Sequence, residues 1–174
     1  MTVPQGAPTA ITMGDMLVKL YDLPDVAPRV RALREAGVVV RAAMPYDKID
    51  VVGWVRAQFG DAWAGECDAA FARQPVACYI AAEQGRLEGF ACHDCTCPDF
   101  FGPMGVDAAA RGRGIGSALL LCCLHAMAAR GYAYAIIGGA GDGDIYRKLA
   151  GAVDIAGSTP GIYRDRLARG ESPR

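Results

Sequence analysis

VDAAARGRGIGSALLLCCL, residues 106–124, decides the fold. Gly112, Gly114 and Gly116 stand at alternate positions, interleaved with Arg113 and preceded by Arg111. They run straight into an apolar pattern that extends to about Arg130, where Gly131 stops it. That pattern is apolar nearly all round, so the helix it predicts is buried. FFGPMGV (100–106) precedes the loop and YAYAIIGG (132–139) follows the helix; both read as strands. Strand, glycine loop, helix and strand make a parallel, right-handed crossover. The first N–H groups of a helix lack internal partners, and the dipole adds positive potential there. Glycines without Cβ atoms let an anion approach the backbone. Arg111 and Arg113 add cationic donors, so the loop suits a pyrophosphate. The plainer alternative is a tight turn that holds nothing. The spacing is not G-x-G-x-x-G, and no G-x-x-x-x-G-K-[ST] occurs, which disfavours a Rossmann site and excludes a P-loop.

Outward from this unit, MLVKLYDL (16–23) alternates like a short strand. A helix is predicted over 28–37 and a strand over VVVRAAM (38–44). Asp47 to Phe59 carries Ile49, Val52, Val55 and Phe59 at helical spacing. A second helical piece covers about 62–73. VACYIAAE (76–83), Gln84-Gly85 and RLEGFACHD (86–94) predict a β-hairpin. Gly102 and Gly105 in the next strand mark a bulge or a close backbone approach. After the crossover come a short helix at 144–149, a strand at 152–157 and a last strand, GIYRDRL, at 161–167. The order predicts a mixed sheet with helices packed on it, in one domain over 15–168, with tails at 1–14 and 169–174.

The 174 residues are long enough to bury roughly two-thirds of the unfolded surface. Apolar residues are 52%, charged residues 21% and the formal net charge is −1. No basic block stands out, which argues against nucleic-acid binding. Seven cysteines without framework spacing fit a reducing compartment. The N-terminal stretch lacks a signal-peptide pattern, and the longest uncharged run, 114–129, is too short to span a bilayer. A cytoplasmic location off the membrane is therefore expected.

Val106-Asp107-(x)3-Arg111-Gly112-Arg113-Gly114-Ile115-Gly116-Ser117-Ala118-Leu119-Leu120 resembles the acetyl-CoA-binding motif of the GCN5-related N-acetyltransferase (GNAT) superfamily. That motif reads Arg/Gln-x-x-Gly-x-Gly/Ala after a strand ending in Val. Arg111, Gly114 and Gly116 fill its defining places. A later strand and helix, Ile136–Gly139 and Ile145-Tyr146-Arg147-Lys148-Leu149, resemble the family's second element. The resemblance spans about 38–167. It implies the GNAT fold: an α/β (α+β) domain with a mixed, mostly antiparallel sheet, helices on both faces and a splayed parallel strand pair. It implies that pantetheine enters the splay and bonds the backbone at Met104, Gly105 and Val106. Residues Arg111, Gly112, Arg113, Gly114, Ile115, Gly116 and Ser117 would then wrap the pyrophosphate. Alanines stand at 108–110, where the family more often has Pro and an aromatic. The strand at 16–23 is additional; it either extends the sheet edge or pairs with a second subunit.

The implied activity is acetyl transfer from acetyl-CoA to a primary amine by direct attack on the thioester. The resemblance makes the backbone N–H near Val106 the oxyanion donor and Tyr146 the general acid. Free tyrosine has a pKa about 1.5 units above a free thiol, so full proton transfer is uphill by roughly 2 kcal/mol and Tyr146 acts as a hydrogen-bond donor to sulfur. Strand 100–106 has no carboxylate, so the base is open among Glu66, His93, Asp94, Asp99 and water. Trp63 is either core or a wall of the acceptor pocket. Ser158, Thr159 and Tyr163 either bind acceptor or form a Pro-Gly turn. His125 and the Cys122-Cys123 pair read as structural.

CHDCTC (92–97) offers Cys92, His93, Cys95 and Cys97 as a zinc set. Structural zinc sites join two ligand pairs, and these four residues crowd into one, so no metal is expected. A non-catalytic acyl-CoA sensor on the same fold is the alternative function, because fold does not imply function.

Overall fold

The computed structural model describes residues 14–167. The tails expected over 1–14 and 169–174 fall, but for Gly14, outside those residues. Seven strands form: β1 Met16–Lys19, β2 Val38–Ala42, β3 Cys78–Glu83, β4 Arg86–His93, β5 Phe100–Val106, β6 Tyr134–Ile137 and β7 Val153–Asp154. The helices are α1 Ala27–Glu35, α2 Lys48–Phe59, α3 Asp61–Phe71, α4 Ile115–Ala129 and α5 Asp144–Ala150. The sheet order is β2-β3-β4-β5-β6-β1-β7. Every pairing is antiparallel except β5 with β6.

Two hydrophobic cores flank the sheet. On one face α4 buries Leu119, Leu120, Leu121 and Leu124, each worth about 1.5–3 kcal/mol when taken from water. Leu33 of α1 and Val18 of β1 share that core. On the other, Val51, Val52 and Val55 of α2 pack with Ala64, Cys67 and Phe71 of α3. Ile49 does not join them: it is 85% exposed, and Val51 takes the core place its spacing suggested. Among the described residues no helix is long and apolar enough to cross a membrane.

The parallel pair is short. Phe100 faces Ile136 and Phe101 faces Ile137, and β6 then ends while β5 runs on to Val106. A bulge sits where the two part. Ala91 pairs with Met104 but His93 pairs with Phe101, so β5 holds one extra residue at Gly102–Pro103. This is the expected bulge. The expected close approach is at Gly105, where a Cβ would lie 2.4 Å from Phe59 Cζ. Phe59 is held there by Trp54, Trp63 and Phe90, at ring centroid separations of 5.6, 5.2 and 5.8 Å.

Four expectations change. β1 is not the last strand of the sheet: it lies between β6 and β7, and β7 pairs with its Met16 and Leu17. It also stops at Lys19, and Leu20–Asp22 form a 3₁₀ turn. Segment 152–157 supplies only the two residues of β7, because Ser158 Oγ donates to Ile155 O at 2.7 Å and turns the chain. GIYRDRL is no strand: Tyr163 N–H donates to Pro160 O and Arg166 N–H to Tyr163 O, both at 3.2 Å, and these local bonds wind it into turns.

Candidate active site

The glycine loop forms because its ends are tied. Asp107 Oδ1 accepts the Ala109 N–H at 2.8 Å, and Arg111 Nε donates to Val106 O at 3.3 Å. Gly112 and Gly114 take φ of +78° and +85°, and a Cβ on either would meet nothing within 4 Å. The loop is therefore both left-handed and open. Ala118 is the first residue of α4 whose N–H is bonded, to Gly114 O. The N–H groups before it are the orphan donors of a helix start. They face a hollow of about 400 Å³ lined by Val106, Arg111, Gly112, Gly114, Gly116 and Ser117, with Ile145 of α5 opposite. Arg113 is elsewhere. Its guanidinium makes a two-pronged pair with Glu83 at 2.9 and 2.9 Å, beside α1.

The exposed edge of β5 leads away from this hollow. Asp107 N–H donates to Glu88 O at 2.8 Å, which makes Val106 and Gly89 a pair that exchanges no hydrogen bonds. Alternation then turns the N–H and C=O of Gly105 toward Phe90 and those of Met104 and Val106 toward the gap. Of the three backbone positions expected to hold pantetheine, Gly105 thus faces the wrong way. Its missing side chain makes room for Phe59 instead.

At the other end of the gap lies a cavity of about 280 Å³. Trp63 and Glu66 of α3, Phe101 of β5, Tyr146 of α5, Tyr163 and Arg166 line it, with the Gly102–Met104 backbone. Tyr146 meets Phe101 edge-on at 6.2 Å, and burial pushes its phenol above the ordinary value. Glu66 is half-buried and accepts a hydrogen bond from Thr96 Oγ1 at 2.8 Å. Tyr163 fills the space over Gly138, where a Cβ would fall 2.4 Å from its hydroxyl. Burial, then Glu66 and Asp15, raise its pKa to about 12. Asp15 Oδ1 accepts the Gly139 N–H at 2.9 Å and holds the end of β6.

Residues 74–149 match the family model described as Acetyltransferase (GNAT) domain. This stretch is similar to a GNAT domain, and the sheet with its splayed parallel pair is GNAT-like. Its fold is similar to the GCN5-related glucosamine N-acetyltransferase region of a fungal multi-domain GH3 beta-N-acetylglucosaminidase, with a TM-score of 0.66 at 14% identity over 82% of this chain and 20% of that one. It is similar also to a GCN5-related N-acetyltransferase from Sphaerobacter thermophilus, with a TM-score of 0.59 at 21% identity over 82% and 48% of the two chains. A third, from Kribbella flavida, gives 0.52 at 16% identity over 82% and 54%. The chain thus spans between a fifth and about half of the length of these proteins. No curated protein matches its sequence.

Within this GNAT-like fold the candidate bases separate. Of the four, Glu66 alone lines the cavity. His93 and Asp94 are 3% and 2% exposed and bond one another, Nδ1 to Oδ2, at 2.9 Å. Asp94 also accepts the Asp99 N–H at 2.9 Å, tying β4 to the start of β5. His125 Nε2 donates to Pro24 O at 2.9 Å, as a structural residue does. The cavity gains Trp63 and Tyr163, which the sequence left open, and Thr96 and Arg166, which it did not mark. Ser158 stays out of it, its Oγ accepting the Asp15 N–H at 2.7 Å. Thr96 and Arg166 carry no local pattern; only their distant neighbours bring them there.

Burial holds His93 below its ordinary pKa of 6.5, although Asp94 opposes the shift. The folded protein therefore binds this proton less readily than the unfolded chain. The stabilisation is fully present above pH 6.5 and is lost as pH falls through the lower folded value. The melting temperature should fall on acidification from pH 7 through this window, and His93→Gln should flatten that slope. Melting curves at several pH values check it; an equal slope in the variant would assign the acid sensitivity elsewhere.

Proposed function

We propose that this chain is an acetyl-CoA-dependent N-acetyltransferase acting on a primary amine by direct attack on the thioester. One observation carries the proposal. Val106 lines the glycine-loop hollow and Met104 lines the Glu66 cavity, and both turn their N–H and C=O into the same gap. They lie two residues apart, about 7 Å along the strand. An extended arm that bonds this edge as an added strand would reach from one hollow to the other.

The residues present suit such a ligand. Gly112 and Gly114 leave the loop backbone open, and the 15-residue helix α4 begins on it with its N-terminus toward the hollow, as pyrophosphate binding requires. Arg111 lines the hollow, so it is the cation for this role, and Arg113 is committed to Glu83. The coenzyme supplies an acetyl thioester. The amine must reach it neutral, and Glu66 is the group that takes its proton. The Met104 N–H faces the gap where negative charge would develop on the carbonyl oxygen. Tyr146 keeps its proton because burial raises its pKa, so it donates a hydrogen bond to the departing sulfur rather than giving up the proton.

The acceptor enters from the Trp63, Tyr163 and Arg166 side of the cavity. Free-thiol release from acetyl-CoA, measured across a panel of amines, tests the proposal. Release that depends on the amine is the expected result. Coenzyme binding with no release for any amine would overturn the transferase and leave a sensor.

A further inference from the structure

Cys67 of α3, Cys78 of β3 and Cys92 of β4 converge between helix and sheet. All three are fully buried, and their Sγ atoms lie within 4.8 Å of one another. The proposed reaction uses none of them. The sheet register sets Cys78 directly opposite Cys92. His93 N–H donates to Ala77 O at 2.9 Å, so 78 and 92 form the closer kind of cross-strand pair, with no hydrogen bonds exchanged. α3 lays Cys67 over that pair. Cys78 Sγ–H makes one long bond, to Tyr79 O at 3.7 Å.

The crowded set at 92–97 does not survive in the fold. Neighbours along a strand point to opposite faces, so His93 turns away from Cys92 and pairs with Asp94. Cys92 instead meets two cysteines that lie far off in the chain. A disulfide would use two of the three sulfurs and strand the third; a metal uses all of them.

We propose that Cys67, Cys78 and Cys92 bind one thiophilic divalent cation of the zinc class. Zinc lies about 2.3 Å from thiolate sulfur, which sets sulfur–sulfur distances of roughly 3.7–4.0 Å. The three sulfurs already satisfy a 4.8 Å limit, so small rotations suffice. Binding displaces the thiol protons to solvent, and three thiolates on one divalent cation leave a net charge of −1. A fourth sulfur, Cys95, neighbours Cys92 and donates to Gly102 O at 3.1 Å.

The test is independent of acetyl transfer. The full chain, reduced and stripped with a chelator, is titrated with zinc against a chromogenic chelator, and with cobalt(II) as a spectroscopic substitute. One equivalent of zinc is expected, with a sulfur-to-cobalt charge-transfer band. Zinc at about 100 times its dissociation constant should raise the melting temperature by about 5–10 °C. Cys67→Ser should lose more than the roughly 10–100-fold in affinity that an outer-shell partner is worth. Cys122→Ser, outside the cluster, should lose none. If Cys67→Ser does not fold, the wild type with and without zinc still decides. No zinc beyond a trace and no cobalt band in the reduced wild type overturns the proposal. So does zinc that folded Cys67→Ser still holds with wild-type affinity.

Discussion

Glu66→Gln should lower amine-dependent thiol release by about 10²–10⁴-fold, the range a positioned general base contributes. The substitution keeps the size of the side chain and a carbonyl oxygen for Thr96, which donates to Glu66 at 2.8 Å. It removes only the ability to take a proton. In the proposed arrangement the pyrophosphate is held at the far end of the gap, by the glycine loop, so the thermal shift with acetyl-CoA should be largely unchanged. The deficit should also shrink as pH approaches about 10, where a primary amine loses its proton to water without help. Steady-state rates across pH for both proteins check this. Full turnover in the variant at neutral pH would mean that the proton leaves through water, and that Glu66 only shapes the cavity. His93 and Asp94 are no substitute, since they are bonded to each other out of the cavity.

Gly114→Trp should abolish the stabilisation by acetyl-CoA. Ligand at about 100 times its dissociation constant adds roughly 2.7 kcal/mol, a shift of about 5–10 °C for a chain of this length. Gly114 lines the hollow in front of α4, and an indole there would crowd its mouth. The φ of +85° strains any L side chain at this position, by about 1–2 kcal/mol, so the variant should melt lower even without ligand. Gly114→Ala carries the same backbone strain without the bulk, and it should keep most of the ligand shift. Thermal unfolding of the three proteins with and without acetyl-CoA separates strain from occlusion. A Trp variant that retains the wild-type shift would place the coenzyme elsewhere.

The crossover was legible because its signals are local. Left-handed glycines, an apolar helix and two flanking strands each lie within a few residues of their cause. The β3–β4 hairpin was legible for the same reason, with Gly85 at φ +77° in its turn. The last strand was misread because apolar spacing in GIYRDRL cannot say whether a neighbouring strand is there to pair with. Ile49 shows the limit of periodicity on α2: spacing identified a helix but not which valines would meet the sheet.

The sequence alone therefore determined the strand–loop–helix–strand unit, the left-handed glycines of its loop and the likeness to the GNAT superfamily. These depend on backbone conformations and side-chain periods that neighbouring residues dictate. Only the tertiary structure decided which carboxylate reaches the cavity, which backbone positions face the gap and which cysteines meet. β1 is the clearest case: it pairs Met16 with Ile137, across most of the chain, and so lies inside the sheet. Such contacts are set by strand register and by how helices pack across a sheet, and a one-residue slip turns every side chain to the other face. No local pattern encodes that choice, which is why Glu66 stood level with three other candidates and Cys67 stood apart from Cys78 and Cys92.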